Sequence, residues 1–242
     1  MLQSFLIAVQ FLTRIPVSVQ PGASQTEHRR AIAFFPVVGF LLGLAGTALY
    51  LALSLILPQA AAVVGVFMGL ALTTGGLHED GLADCADGFG GGYSRDQVLK
   101  IMRDSHIGTF GVLALGFVVS LKVISLTELV DWKFYRALVM AQVLSRWSVL
   151  PLAWALPQAR SEGLGSGFST QLRPVPILLA TTFTLPLGAF LYRWYFCRPF
   201  WWRLWWWGSS AFIVFEESGV SRETAMALPS SWSNCPSICR WS

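Results

Sequence analysis

Thr109–Leu129 reads TFGVLALGFVVSLKVISLTEL. Its only ionisable residues are Lys122 and Glu128, and it contains no proline. At about 1.5 Å of rise per residue, a helix of this length crosses the roughly 30 Å apolar core of a bilayer. The run lacks the period-two alternation of a half-buried strand, and a helix satisfies its own backbone in lipid. Working outward, comparable runs recur at Ala31–Leu57, Ala60–Gly76, Tyr135–Leu156 and Pro176–Tyr192. The expected fold is therefore an all-α, polytopic integral membrane bundle. Met1–Val17 is too short, and too interrupted by Gln3, Gln10 and Arg14, to be a span. It reads as a re-entrant or interfacial helix ended by Pro16. Ser18–Arg30 reads as a polar loop.

Composition agrees with this assignment. Of the 242 residues 54% are hydrophobic and 12% charged, against roughly 25% charged in soluble domains. The net charge of +4 comes from Lys and Arg in loops, so it implies no nucleic-acid partner. Met1–Val17 has no basic n-region, so no cleavable signal is expected. Four cysteines in such a chain do not read as a disulfide framework.

Immediately before Thr109 lies the most acidic stretch of the chain, Leu77–Gly108, LHEDGLADCADGFGGGYSRDQVLKIMRDSHIG. It holds Glu79, Asp80, Asp84, Asp87, Asp96 and Asp104, six of the thirteen acidic residues. On a helix Asp80, Asp84 and Asp87 fall at i, i+4 and i+7, on one face. Three like charges there repel unless a cation sits among them. Mg²⁺ suits such a site, because it takes oxygen ligands and uses a few carboxylates together with substrate phosphates. The competing reading is a solvated loop. Gly88 and Gly90–Gly92 read as a flexible turn after the helix, with backbone approach to a phosphate as the alternative.

Threading the spans puts the N-terminal loop, Leu77–Gly108 and Pro157–Arg173 on one side. That side carries Arg14, Arg29, Arg30, Arg95, Lys100, Arg103, Arg160 and Arg173; the other shows Lys133 and Arg136. The bias places the acidic stretch in the cytoplasm. Lys122 and Arg146 lie within spans, where ionisable residues are costly and usually face a polar cavity. They read as holders of an anionic phosphate or as partners of the carboxylates, against snorkelling or a structural ion pair.

The strings Phe11–Val17 (FLTRIPV), Phe34–Gly43 (FFPVVGFLLG), Thr74–Gly88 (TGGLHEDGLADCADG), Ile101–Gly111 (IMRDSHIGTFG), Lys122, Ser145-Arg146 and Glu162–Gly165 (EGLG) resemble cobalamin synthase, the adenosylcobinamide-GDP ribazoletransferase family. They cover roughly residues 1–192, which read as one membrane domain. The resemblance implies an inner-membrane, multi-pass, Mg²⁺-requiring bacterial enzyme of cobalamin synthesis. Such an enzyme joins adenosylcobinamide-GDP to α-ribazole, or its 5′-phosphate, and releases GMP. Its partners would be those two substrates and the lipid bilayer; homo-oligomer formation stays open.

Attack on a pyrophosphate requires its charge to be neutralised and its leaving group stabilised, which carboxylate-held Mg²⁺ would do. Asp80, Asp84 and Asp87 are the expected metal ligands. The nucleophile would be the ribazole 5′-hydroxyl, and Asp104 or Glu79 the general base. His78, Arg103, Lys122, Arg146 and Glu162 are the expected substrate contacts, with a purely structural role as the alternative for His78.

After Tyr192 the resemblance stops. Six of the eleven Trp lie between Trp194 and Trp207, and Trp has a single codon, TGG. Shifted by one base, a permitted back-translation of residues 193–242 yields an apolar helix, a basic turn, a GG…GD…GA motif and a final apolar helix. The expectation is a frameshift near Tyr192–Trp194, with Cys235 and Cys239 as out-of-frame accidents and activity impaired by the altered end. Resequencing decides it: a trace that leaves no room for the shifted frame sinks the idea. Two other functions fit the sequence less well. A CDP-alcohol-type phosphotransferase making lipid head groups expects an Ala-Arg pair after its first aspartates, whereas here Ala83 precedes Asp84. A transporter expects paired inverted repeats, and none is visible.

Overall fold

The computed structural model describes residues 1–19, 23–129, 132–155 and 174–192. Among them there is no strand, as the continuous apolar runs require. Helix α1 spans Leu2–Leu12 and α2 spans Gln25–Ala31. A 3-10 turn, Ile32–Phe34, leads into α3, Phe35–Leu53. There follow α4, Gln59–Thr74; α5, Leu77–Gly91; α6, Arg95–Ile101; α7, Thr109–Thr127; α8, Trp132–Ala155; and α9, Pro174–Leu191.

Four stretches are long and apolar enough to cross a membrane: Gln25–Leu53, α7, α8 and α9. Gln25–Ala31 is thus helix, where a polar loop is expected from its composition. The reason is local: Ser24 accepts from the Glu27 N–H, and the Glu27 side chain accepts from the Ser24 N–H. This capping box satisfies two otherwise unpaired donors.

The expected second span, Ala60–Gly76, is the first member of a bent helix pair. Helix α4 has 16 residues, a rise of about 24 Å. Gly75 and Gly76 then adopt φ of 72° and 70°, a left-handed conformation that favours glycine. They turn the chain by 91° into α5. The Arg14 N–H donates to the Thr73 carbonyl at 2.7 Å. The Arg14 side chain lies against Gly75, where a Cβ would come within 2.4 Å of its Nε. The segment after α1 is thereby docked on the bend. Helix α1 itself is too short to span and buries Ser4, Ile7, Ala8 and Leu12.

The core joins Ile7 and Leu12 to Phe35, Val38 and Leu42 of α3, Val63 and Val66 of α4, and Leu138 and Leu150 of α8. Helices α3 and α8 approach so closely that a Cβ on Gly39 would lie 2.5 Å from the Gln142 carbonyl oxygen. One on Gly43 would lie 2.7 Å from the Val139 Cα. Small residues four apart allow this backbone-to-backbone packing, the usual means of helix association in lipid.

Candidate active site

Helix α5 carries the acidic stretch, and its residues divide among different neighbours. Asp87 is buried. Its Oδ2 accepts from the Gly108 N–H at 2.6 Å and its Oδ1 from the Gly111 N–H at 2.8 Å. Gly108 is the N-cap of α7, whose first-turn N–H groups have no intrahelical acceptor. Asp87 therefore caps α7 from another helix, with its negative charge at the positive end of the helix dipole. Asp84 is half-buried and Asp80 exposed, one turn apart on α5. Among the described residues no three His, Cys, Asp or Glu side chains form a group that could hold a metal ion. Gly88 and Gly90, expected in a turn, lie inside α5. A Cβ on Gly88 would meet Met102 Cγ at 2.7 Å, and one on Gly90 the Phe110 ring at 2.5 Å. These glycines seat neighbouring side chains.

At its other end α5 contributes to a cavity of about 290 Å³ between α4, α5, α7 and α8. His78, Glu79, Lys122 and Arg146 all line it, so four of the expected site residues meet from three helices. Gln142 and Ser145 also line it and were not anticipated. Arg146 Nη1 donates to the Gln142 side-chain oxygen and to Ser145 Oγ. Gln142 lies one turn before Arg146, a spacing at which helical side chains meet. Lys122 Nζ sits 5.9 Å from the centre of the Phe67 ring, within range of a cation–π contact.

The remaining expected residues lie elsewhere. Asp104 is in the exposed loop after α6, where its Oδ1 accepts from the His106 N–H at 3.1 Å and lies 2.6 Å from His106 Nδ1. That side-chain hydrogen bond holds the Asp104 carboxyl below its ordinary range and lifts His106 above its own. Arg103 is exposed. Glu162 and the segment 193–242 lie outside the described residues.

A family model described as cobalamin-5-phosphate synthase matches residues 4–217. An adenosylcobinamide-GDP ribazoletransferase of Clostridium botulinum (strain Okra / Type B1) is 36% identical over 189 residues, 78% of this chain and 76% of the relative. One of Pelodictyon phaeoclathratiforme is 40% identical over 187 residues, 76% of this chain and 72% of the relative. One of Ralstonia nicotianae is 49% identical over 121 residues, 50% of this chain and 47% of the relative. No solved structure matches. With a family match over most of its length, joined to a helical membrane bundle that gathers His78, Glu79, Lys122 and Arg146 in one cavity, the chain belongs to the cobalamin-5-phosphate synthase family.

Proposed function

We propose that the protein transfers the adenosylcobinamide phosphate of adenosylcobinamide-GDP to α-ribazole or its 5′-phosphate. The products are adenosylcobalamin or its 5′-phosphate, and GMP. The observation that carries this reading is the family match over residues 4–217. In the reaction an acceptor hydroxyl oxygen bonds to the cobinamide-bearing phosphorus, the P–O bond to GMP breaks, and the hydroxyl proton passes to a base. An acceptor already phosphorylated at its 5′ oxygen has no free 5′-hydroxyl. The nucleophile common to both acceptors is therefore a different ribose hydroxyl, which corrects the expectation from sequence.

The carboxylates of Asp80 and Asp84, one turn apart on α5, are oxygen donors of the kind that suits Mg²⁺, which is commonly held by one or two carboxylates plus substrate phosphates. We assign it to Asp80 and Asp84, because both Asp87 oxygens already accept backbone N–H groups. When bound, the ion would neutralise charge on the pyrophosphate oxygens. Arg146 and Lys122 supply fixed positive charge to a phosphate. Of the two expected bases, Glu79 is favoured, because it lines the cavity while Asp104 is bonded to His106 in an exposed loop. The Lys and Arg bias of the loops supports a cytoplasmic acidic stretch in the bacterial inner membrane.

The test is an assay of purified membranes containing the frame-corrected protein, with adenosylcobinamide-GDP, α-ribazole and Mg²⁺. GMP and a corrinoid product carrying the ribazole are expected in equal amounts. Absence of both would defeat the proposal.

A further inference from the structure

Helix α4 is closed partly by its own turn and partly by a distant segment. The last four carbonyls of a helix have no intrahelical donor. Here the Gly75 N–H reaches the Leu72 carbonyl and the Gly76 N–H the Ala71 carbonyl, as a left-handed glycine commonly closes a helix. The Thr73 carbonyl takes its donor from outside, the Arg14 N–H. The Arg14 side chain continues over the same turn. Its Cγ and Cδ lie 3.0 Å from where a Gly75 Cβ would stand, and its Nε closer still. At Gly76 a Cβ would meet nothing within 4 Å. Arg14 thus covers one glycine of the bend and leaves the other open.

The strap that carries Arg14 is itself anchored. Phe11 stacks on Phe35 of α3 with ring centres 5.6 Å apart, and Leu12 is buried in the core. Thr13 is buried too; its hydroxyl donates to the Val9 carbonyl and accepts from the Ile15 N–H. Arg14 is exposed, so its aliphatic stem lies on the turn while its charged end reaches water.

The bend separates two parts of the cavity lining. Thr74 ends α4, and His78 and Glu79 lie in the first turn of α5. Helix α5 packs mainly on α6 and α7 and only lightly on α4. Two glycines between helices so loosely joined are a hinge unless something holds them. Arg146 belongs to α8, which packs on α3 at Gly39 and Gly43. The strap rests on α3 as well, so it ties the first turn of α5 to the frame that carries Arg146.

We infer that Arg14 is a positioning residue: it braces the Gly75–Gly76 bend and thereby fixes where His78 and Glu79 stand relative to Arg146. It acts through the bend, by its stem, and not by touching substrate. The kinetic consequence rests on the transferase reading; the brace itself does not.

The test joins hydrogen exchange of the full chain in neutral detergent to kinetics of the frame-corrected protein. Arg14→Ala should speed amide exchange of a peptide spanning Gly75–Gly81 about tenfold, because local opening becomes easier. Exchange in α8 and the unfolding temperature should stay as in wild type. In the transferase assay kcat per folded enzyme should fall roughly 10- to 100-fold, the scale expected when reacting groups move by about an ångström. KM should change far less. Arg14→Met keeps the stem without the charge and should restore both exchange and kcat. Unchanged exchange in Arg14→Ala would overturn the brace. Equal loss of kcat in Arg14→Met and Arg14→Ala would make the guanidinium a substrate contact and overturn the positioning role. If Arg14→Ala does not fold, Gly75→Ala and Gly76→Ala serve. Both place a side chain at positive φ, but only Gly75→Ala displaces Arg14. Faster exchange in Gly75→Ala than in Gly76→Ala supports the brace, and equal exchange overturns it. Exchange needs no turnover: the expected exchange pattern with no GMP from any variant would sink the transferase reading and leave the brace standing.

Discussion

Asp87→Ala and Asp84→Asn, three positions apart on one helix, should fail in different ways. Asp87→Ala should lose about 2–6 kcal/mol of stability, because two backbone donors, on Gly108 and Gly111, are left without an acceptor at about 1–3 kcal/mol each. Asp87→Asn keeps one acceptor oxygen and should fall between wild type and Ala. The measurement is thermal unfolding of detergent-purified protein, followed by intrinsic fluorescence. Asp84→Asn, which tests the proposed Mg²⁺ ligand, should lose Mg²⁺-dependent release of GMP while the protein still folds. An Asp87→Ala protein that melts like wild type would show that the cap contributes little. Full activity in Asp84→Asn would remove it from the ion.

A second large effect is expected from the α3–α8 contact. Gly39→Val must push against the Gln142 carbonyl, a backbone atom that cannot rotate away. Overpacking of this kind costs typically about 1–3 kcal/mol. Here it also moves the residue that holds Arg146. Gly39→Val should therefore lower the unfolding temperature and weaken substrate binding together. Gly116→Ala is the control: its Cβ meets nothing within 4 Å, and neither quantity should fall. If Gly39→Val leaves both unchanged, α8 has more freedom than its packing implies.

What could be read from the sequence follows the range of the forces involved. Lipid demands long uninterrupted apolar runs, so Thr109–Leu129 announces its helix directly. Lys122 and Arg146 stand out for the same reason, as charges where charges are expensive, and both do line the cavity. Gln25–Ala31 reads as a polar loop by composition and is a helix, although the signal for its start, Ser24 and Glu27 at capping-box spacing, was legible. The fate of Asp87 was not. Its partners lie 21 and 24 residues away, and helical spacing groups it with Asp80 and Asp84 whatever it touches. Gln142 was readable as a neighbour of Arg146, but its role depends on burial, which local spacing does not report.

Helix α7 shows how a lipid-facing element is kept in place. Only 6% of its apolar window is buried, so its flanks meet hydrocarbon that is indifferent to rotation or sliding. Its two ends are not indifferent. Asp87 takes the N–H groups at the start, and the Gln59 side chain donates to the Thr127 and Leu129 carbonyls at the finish. A shaft clamped by directional bonds at both ends can neither turn about its axis nor slip along it without breaking one of them. The azimuth of Lys122, and hence its aim into the cavity, is therefore set at the two termini as well as by side-chain packing such as that of Phe110 on Gly90.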